Sequence, residues 1–400
     1  MQTPVSATES TVTLSAPAVC FMALAAAAGT ATIYPLQPAI ADVADSVGAS
    51  VAAAGSALAC GPVGYLLGLA TLVPLVDRYP PRRLLALQFG VLSVALALNA
   101  AATTPWLLGL AVGIVGAAST VGAQLSSVAG RLASPRRGAT TLGIVTAGIS
   151  AGILGGRIVG GWLTDQIGWR ATLLSFAALC AIIACATLLA IPHATATVRS
   201  GYLAGLRGSA GLYRSHPALR TAATRGALWF FAFCAVWAGL AVALAGPPFG
   251  YSAETIGLFA VAGLLGIGAT WVAGAWTDRV GARIVILTGL VVAGAAAAVL
   301  TVVLHSTVAT LICLALFDAG LFAAQVANQS TVLAIDPGAP ARFNGAYMVV
   351  YFIGGSVGTA FGAAAVDWFG WPVTAAIAAV AIGVAAIQSS SRNVRRPLEA

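Results

Sequence analysis

Apolar runs of about 20 residues recur along this 400-residue chain, and no other feature limits its fold so severely. A helix needs roughly 20 apolar residues to cross the hydrocarbon core of a bilayer. Runs of that size fall near 16–39, 50–76, 84–102, 106–130, 139–163 and 171–191. After a polar gap they resume near 222–246, 254–276, 283–304, 307–333, 344–365 and 372–388. Only 8% of the residues are charged, against roughly 25% in a soluble domain, so the chain has too little polar surface to wrap itself in water. The pattern predicts an all-α polytopic membrane protein of twelve transmembrane helices. In lipid a helix satisfies its own backbone polar groups, which an open sheet cannot do.

The charges then orient the spans. All 19 basic residues are arginine and the net charge is +8. They stand singly or in pairs between apolar runs, so they form no basic face for nucleic acid. Arg78, Arg82 and Arg83 fill the second gap, Arg136 and Arg137 the fourth, Arg279 and Arg283 the eighth, and Arg342 the tenth. The central gap holds Arg199, Arg207, Arg214 and Arg220, with Arg225 just after it; the tail holds Arg392, Arg395 and Arg396. Odd-numbered gaps hold only Arg170. By the positive-inside rule the even gaps and both termini face the cytoplasm, in a bacterial inner membrane. The expected organisation is a cytoplasmic tail over 1–15, a six-helix bundle over 16–192, a cytoplasmic linker over 193–221, a second bundle over 222–388 and a tail over 389–400. The first 15 residues lack the positive charge of a signal peptide, so the first run reads as a retained span. Trp106, Trp169, Trp276, Trp368 and Trp371 fall near span ends, where interfacial anchoring is expected.

The two halves are copies. With a shift of 201 residues Asp77-Arg78 falls on Asp278-Arg279, and Gln124 on Gln325. One residue further on, Gly152, Gly156 and Gly160 fall on Gly354, Gly358 and Gly362, Asp165 on Asp367, and Gly168-Trp169 on Gly370-Trp371. Two pseudo-symmetric six-helix bundles facing a shared cavity are the architecture of alternating access. Glycines every fourth residue give a helix a smooth face for close approach. Two uses are open to these ladders: static packing, or a sliding contact between the bundles.

The sequence resembles the major facilitator superfamily, and within it the drug:proton-antiporter-like branch that includes arabinose-efflux-like permeases. The most diagnostic stretch is Gly274, Asp278, Arg279, Gly281 and Arg283 after span eight. The first half answers with Asp77, Arg78, Arg82 and Arg83, in a stretch that carries Pro74, Pro80 and Pro81, with Pro80 in the register of Gly281. Tyr34-Pro35-Leu36-Gln37-Pro38, Gly246-Pro247-Pro248-Phe249 and the Asn344 to Met348 stretch are also family-like. Val112 stands where the branch often has an arginine, and Gly155-Gly156-Arg157 replaces its usual Gly-Pro pair. The resemblance implies a transporter in which the Asp77 and Asp278 loops, with Arg78, Arg82, Arg83, Arg279 and Arg283, gate the cytoplasmic side. There each carboxylate would sit at a helix N-terminus.

Two charges lie deep inside spans: Arg157 in the fifth and Asp318 in the tenth. A charge at the bilayer centre costs at least roughly 2.5–3.5 kcal/mol, so both should face a cavity or each other. Pairing in one conformation and parting in another is expected; a permanent salt bridge, or Arg157 snorkelling outward, are the alternatives. Asp318, the only acid well inside a span, is the proton-carrier expected by elimination. Gln124 and Gln325 lie on spans four and ten, which line the family's cavity. With Asn328, Tyr347, Tyr351 and Trp237 they form the expected substrate lining. With no charged cluster there, a neutral or weakly amphipathic ligand is expected.

The leading functional reading is a secondary transporter that exports a small molecule in exchange for protons and functions as a monomer. A proton-coupled nutrient symporter is the runner-up; a membrane receptor or a membrane-embedded enzyme is more distant. His193, His216 and His305 are too scattered for a metal or catalytic cluster. Without lysine there is no Walker-type phosphate loop. No cofactor, metal or enzymatic activity is expected.

Overall fold

The computed structural model describes residues 14–132, 138–192, 209–336 and 340–390. The expectations for residues 1–13, Arg136, Arg137, Arg199, Arg207 and the C-terminal tail lie outside the described residues. Within them every regular element is helical, and ten helical stretches are long and apolar enough to cross a membrane. One of the ten contains two spans: α8 (Gly138–Ala190) reverses at Gly168, whose φ of 79° suits glycine. A shorter apolar helix, α1 (Ala16–Ala31), precedes them all. With the two arms of α8 counted separately and α1 added, the twelve expected segments are all helical. The remaining elements are α2 (Ile40–Ser46), α3 (Val51–Leu58), α4 (Cys60–Thr71), α5 (Pro81–Ala100), α6 (Pro105–Ala118), α7 (Val121–Leu132), α9 (Ser209–Ser215) and α10 (Pro217–Ala245). There follow α11 (Ala253–Leu258), α12 (Gly263–Val280), α13 (Ala282–Val303), α14 (Thr307–Leu333), α15 (Pro340–Phe369) and α16 (Trp371–Ser390).

The spans differ from the expected boundaries where the sequence interrupts its own backbone ladder. Pro35 and Pro38 follow the end of α1, which therefore stops at Ala31 and not at 39. Pro62 removes a donor to Leu58, and the second span divides there into α3 and α4. In the fourth span the Ser119 and Thr120 hydroxyls turn back onto the carbonyls of Val115 (2.8 Å) and Ala117 (2.7 Å), where α6 gives way to α7. Gln88 Nε2 then donates to the Ala118 carbonyl at 2.8 Å, because a freed backbone group in lipid must find another partner.

The repeat is visible in the backbone. Gly168 and Gly370 share a φ of 79° and join the last two spans of each half. The tryptophans that follow them are corrections to the anchoring expectation. Trp169 and Trp371 are both buried, with indole N–H groups donating to Ser46 Oγ (2.8 Å) and the Leu300 carbonyl (2.7 Å). Trp106 and Trp368 are exposed as interfacial residues would be.

The glycine ladders resolve in favour of packing within each half. A Cβ placed on Gly152, Gly156 or Gly160 would lie within 2.3–2.4 Å of backbone atoms of Ala27, Ala31 or Pro35 on or just after α1. On Gly354, Gly358 or Gly362 it would lie 2.3 Å from carbonyls of Ala227, Phe231 or Ala235 on α10. Close crossings between the bundles fall elsewhere. Gly55 meets Ala363, Gly161 meets the Ala253 carbonyl and Gly257 meets the Arg157 carbonyl, each too closely for a Cβ. All three crossings lie toward the arginine-poor face, so the halves are closed against each other there.

Candidate functional site

Just beneath that closure the two intramembrane charges face one cavity. Arg157, on the first arm of α8, and Asp318, on α14, are both buried (4% and 2% exposed). Both line a cavity of about 30 Å³ together with Ser150, Thr270, Phe233 and Phe322. That space admits only water-sized occupants in this conformation. The two are not in direct contact: Trp237 of α10 stands between them. Its indole N–H donates to Asp318 Oδ1 at 3.2 Å, while the Arg157 guanidinium lies 4.6 Å from its ring centre. Tyr34, at 4.8 Å, and Phe233, at 5.9 Å, complete an aromatic cage around the cation. Arg157 Nε donates to Gln37 Oε1 at 2.9 Å. The Tyr34 to Pro38 stretch, family-like in sequence, thus supplies two of the four groups that hold Arg157. Their role escaped sequence reasoning because they lie about 120 positions away along the chain.

A second polar cluster lies nearer the arginine-rich face. Arg225, placed by the sequence among the topology arginines, is buried on α10, eight residues beyond the helix start. Its Nε donates to Asn328 Oδ1 at 2.9 Å, a second guanidinium nitrogen reaches the same oxygen, and Nη1 reaches Ser389 Oγ at 3.1 Å. Asn328 Nδ2 in turn donates to the Ala222 carbonyl (3.0 Å) and the Tyr347 hydroxyl (3.3 Å), which donates to Gln325 Oε1 (2.6 Å). This network ties α10, α14, α15 and α16 together. Asn328 is therefore engaged as interhelical glue. Gln124, its counterpart in purpose on α7, donates to the Leu72 carbonyl at 2.6 Å where α4 ends. Tyr351 instead stacks on Phe230 at 4.0 Å and nearly parallel. Beside them Tyr65 of α4 meets Phe352 of α15 at 5.2 Å, so aromatic rings from both halves meet between the two clusters.

At the arginine-rich face Asp278, Arg279 and Arg83 are exposed, and Arg78 and Arg82 are half-buried. The Asp77 side chain lies outside the described residues. Arg283 donates to the carbonyls of Ser389 (3.3 Å) and Ser390 (2.6 Å), capping the last turn of α16. The carboxylate latch that is engaged lies at the opposite face. Asp165, noted in the sequence only as a repeat mark, accepts the backbone N–H groups of Ala253 (3.1 Å) and Glu254 (2.9 Å). A carboxylate from one half thus sits on the N-terminus of α11 in the other. Its repeat partner Asp367 is exposed, so this latch is one-sided. Burial, with the Asp165 and Asp45 carboxylates close by, raises the Asp42 carboxyl above its ordinary value. The folded protein then holds that proton more tightly than the unfolded chain. Asp42 accordingly favours the fold most below the ordinary carboxylate value, and that contribution is lost as pH rises through the raised one.

Replacing Asp165 by Asn keeps the shape and removes the charge that two helix N–H groups and the dipole favour, a contribution of about 0.5–1 kcal/mol for an exposed carboxylate. The expected result is about a two- to fivefold gain in the population open at the arginine-poor face, read by spin-label distances across the Asp165–Ala253 contact. An unchanged distance distribution would show that the close glycine crossings hold the face shut without it.

A family model described as Major Facilitator Superfamily matches residues 19–359. The uncharacterised transporter YgaY of Escherichia coli O157:H7 is 30% identical over 358 residues, covering 90% of this chain and 91% of its own. A chloramphenicol resistance protein of Streptomyces lividans is 32% identical over 190 residues, 46% of this chain and 45% of its own. Among solved structures, a mutant of the nucleoside transporter NupG superposes with a TM-score of 0.76 at 15% identity, covering 93% of this chain and 97% of its own.

Proposed function

Because the chain belongs to the Major Facilitator Superfamily, a family of membrane transporters and not of enzymes, we propose that it exports a small neutral or amphipathic molecule in exchange for protons. Asp318 is the proton-carrying group in this reading, and one observation carries it: a buried carboxylate and a buried guanidinium open onto the same cavity, with Trp237 in contact with both. Within a span a charge persists only with a role or a partner to offset its cost, and Asp318 has a single neutral donor. Movement of Trp237 with α10 would change how strongly Arg157 stabilises the carboxylate, and so would take up or release a proton.

The direction of transport in this reading is supported by the partial likeness to a protein named for chloramphenicol resistance, an outcome that outward transport would produce. In the orientation set by the arginines, both termini and the gating loops of Asp77 and Asp278 lie in the cytoplasm. The latch of Asp165 and the crossings at Gly55, Gly161 and Gly257 then close the outer side, leaving Trp237, Gln325, Tyr347 and Tyr351 on the route from inside. The protein acts as a monomer in this reading, each chain holding a complete pair of bundles.

The test uses the full chain in sealed vesicles with an imposed proton gradient and chloramphenicol as the probe. Exchange predicts that the probe moves against the direction of proton flow. Movement of the probe with the protons identifies the uptake symporter instead, and movement indifferent to the gradient removes proton coupling altogether.

A further inference from the structure

The hydrogen-bonding capacity left over at Arg157 and Asp318 specifies what the cavity between them recognises. A guanidinium has five N–H donors and a carboxylate about four acceptor sites. Arg157 spends one donor on Gln37, and its ring neighbours cover faces, not edges. Among the described residues its other four N–H groups have no acceptor. Asp318 accepts one bond, from Trp237. Its other oxygen lies beside Gly263, which lines the same cavity and offers it no side-chain donor. Buried polar groups are ordinarily satisfied, and exceptions at this depth call for an occupant. Here donors and acceptors line a common cavity whose walls include the rings of Phe233 and Phe322, with the Trp237 ring against Arg157.

We infer that this cavity takes the polar edge of a net-neutral aromatic compound carrying one hydrogen-bond acceptor and one donor side by side, as in a primary carboxamide. The acceptor takes the free edge of Arg157 and the donor points to Asp318. Net charge decides against the alternatives. The pair already sums to zero when Asp318 is ionised. An anion would meet the buried carboxylate and a cation the buried guanidinium, each leaving an uncompensated charge away from water. The rings supply stacking surface for a planar body. Only the polar edge, or the waters it displaces, fits the present cavity, so the ring enters as the halves part and lies among Phe230, Tyr351 and Tyr65. This inference rests on the Arg157–Asp318 cavity being the transport site, but not on proton coupling or direction.

Benzamide, benzoate and benzamidinium have the same planar shape and charges of zero, minus one and plus one. Their binding to the purified full chain, read as the rise in melting temperature at about pH 8, where a carboxylate of ordinary value is ionised, tests the assignment. Wild type is expected to favour benzamide. Asp318→Asn leaves Arg157 uncompensated and should bring benzoate to the front by about tenfold in apparent affinity. Arg157→Gln should do the same for benzamidinium. Because each protein is compared with itself across three probes, a loss of overall stability does not alter the ranking. Wild type ranking benzoate or benzamidinium first, a ranking that neither substitution moves, or binding of none of the three overturns the assignment. The vesicle experiment fails independently: a correct ranking with no response to the proton gradient removes the coupling and leaves the ligand class standing.

Discussion

Asp318→Asn is expected to uncouple transport completely while a neutral substrate, though bound more weakly, still exchanges across the membrane. One proton exchanged per neutral substrate converts each pH unit into about a tenfold substrate ratio. A gradient of about two units should therefore drive wild type to a ratio on the order of 100, and the variant to a ratio of one. Asparagine nearly matches the shape and still offers an acceptor to the Trp237 N–H, so the fold has no reason to change. Counterflow of labelled against unlabelled probe, which needs alternating access but no proton, provides the internal reference. A variant that still builds the full ratio would move proton coupling to another group. A variant that loses counterflow as well would make the carboxylate indispensable to binding and would leave it no separate role in coupling.

The second large effect is on stability. A Cβ at Gly358 would stand 2.3 Å from the Phe231 carbonyl oxygen and 2.8 Å from its Cα. These are backbone atoms of a buried helix, and they cannot swing aside as a side-chain tip can. Gly358→Val must push α15 and α10 apart by more than an ångström along their closest contact. Over-packing of this kind costs about 1–3 kcal/mol and at times more. At this site the upper end is expected, because the ladder at Gly354 and Gly362 is strained with it. Gly383→Ala on α16 is the matched control, since nothing lies within 4 Å of the added methyl. There the lower backbone freedom of alanine should be neutral or stabilising, by up to about 1 kcal/mol. Thermal unfolding in detergent distinguishes the two. Equal melting temperatures would mean that the α10–α15 contact relaxes freely, and would remove the ladder as the brace of that half.

The same ladders show where sequence reading stops. Spacing by fours announced a close helix contact, and the contact exists. Whether the neighbour belonged to the same half or the other was not legible, because the spacing fixes a face of one helix and says nothing of its partner. Arg225 is a similar case. Three residues past an expected boundary it looked like a topology signal. Helix α10 in fact begins at Pro217, and the five extra residues carry Arg225 inward to Asn328 and Ser389. The family signature was legible as a motif; among the described residues Arg283 caps its own half and Asp278 is exposed, while a carboxylate that joins the halves is Asp165. A latch across the bundles depends on which ends are together, a relation that no single stretch of sequence carries.

What the sequence determined by itself was the solvent, the number of crossings, the duplication and the presence of two buried charges. Each is a local or additive property: hydropathy sums over a window, charge counts over a gap, and a repeat compares letters in register. Only the tertiary structure decided that Trp237 separates Arg157 from Asp318, that Tyr34 and Gln37 hold the arginine, and that the two charges keep unspent hydrogen bonds toward a shared cavity. Those relations join residues roughly 80 to 120 positions apart. They depend on how each helix is rotated about its axis, a quantity set by the packing of all its neighbours together and carried by no single stretch of chain.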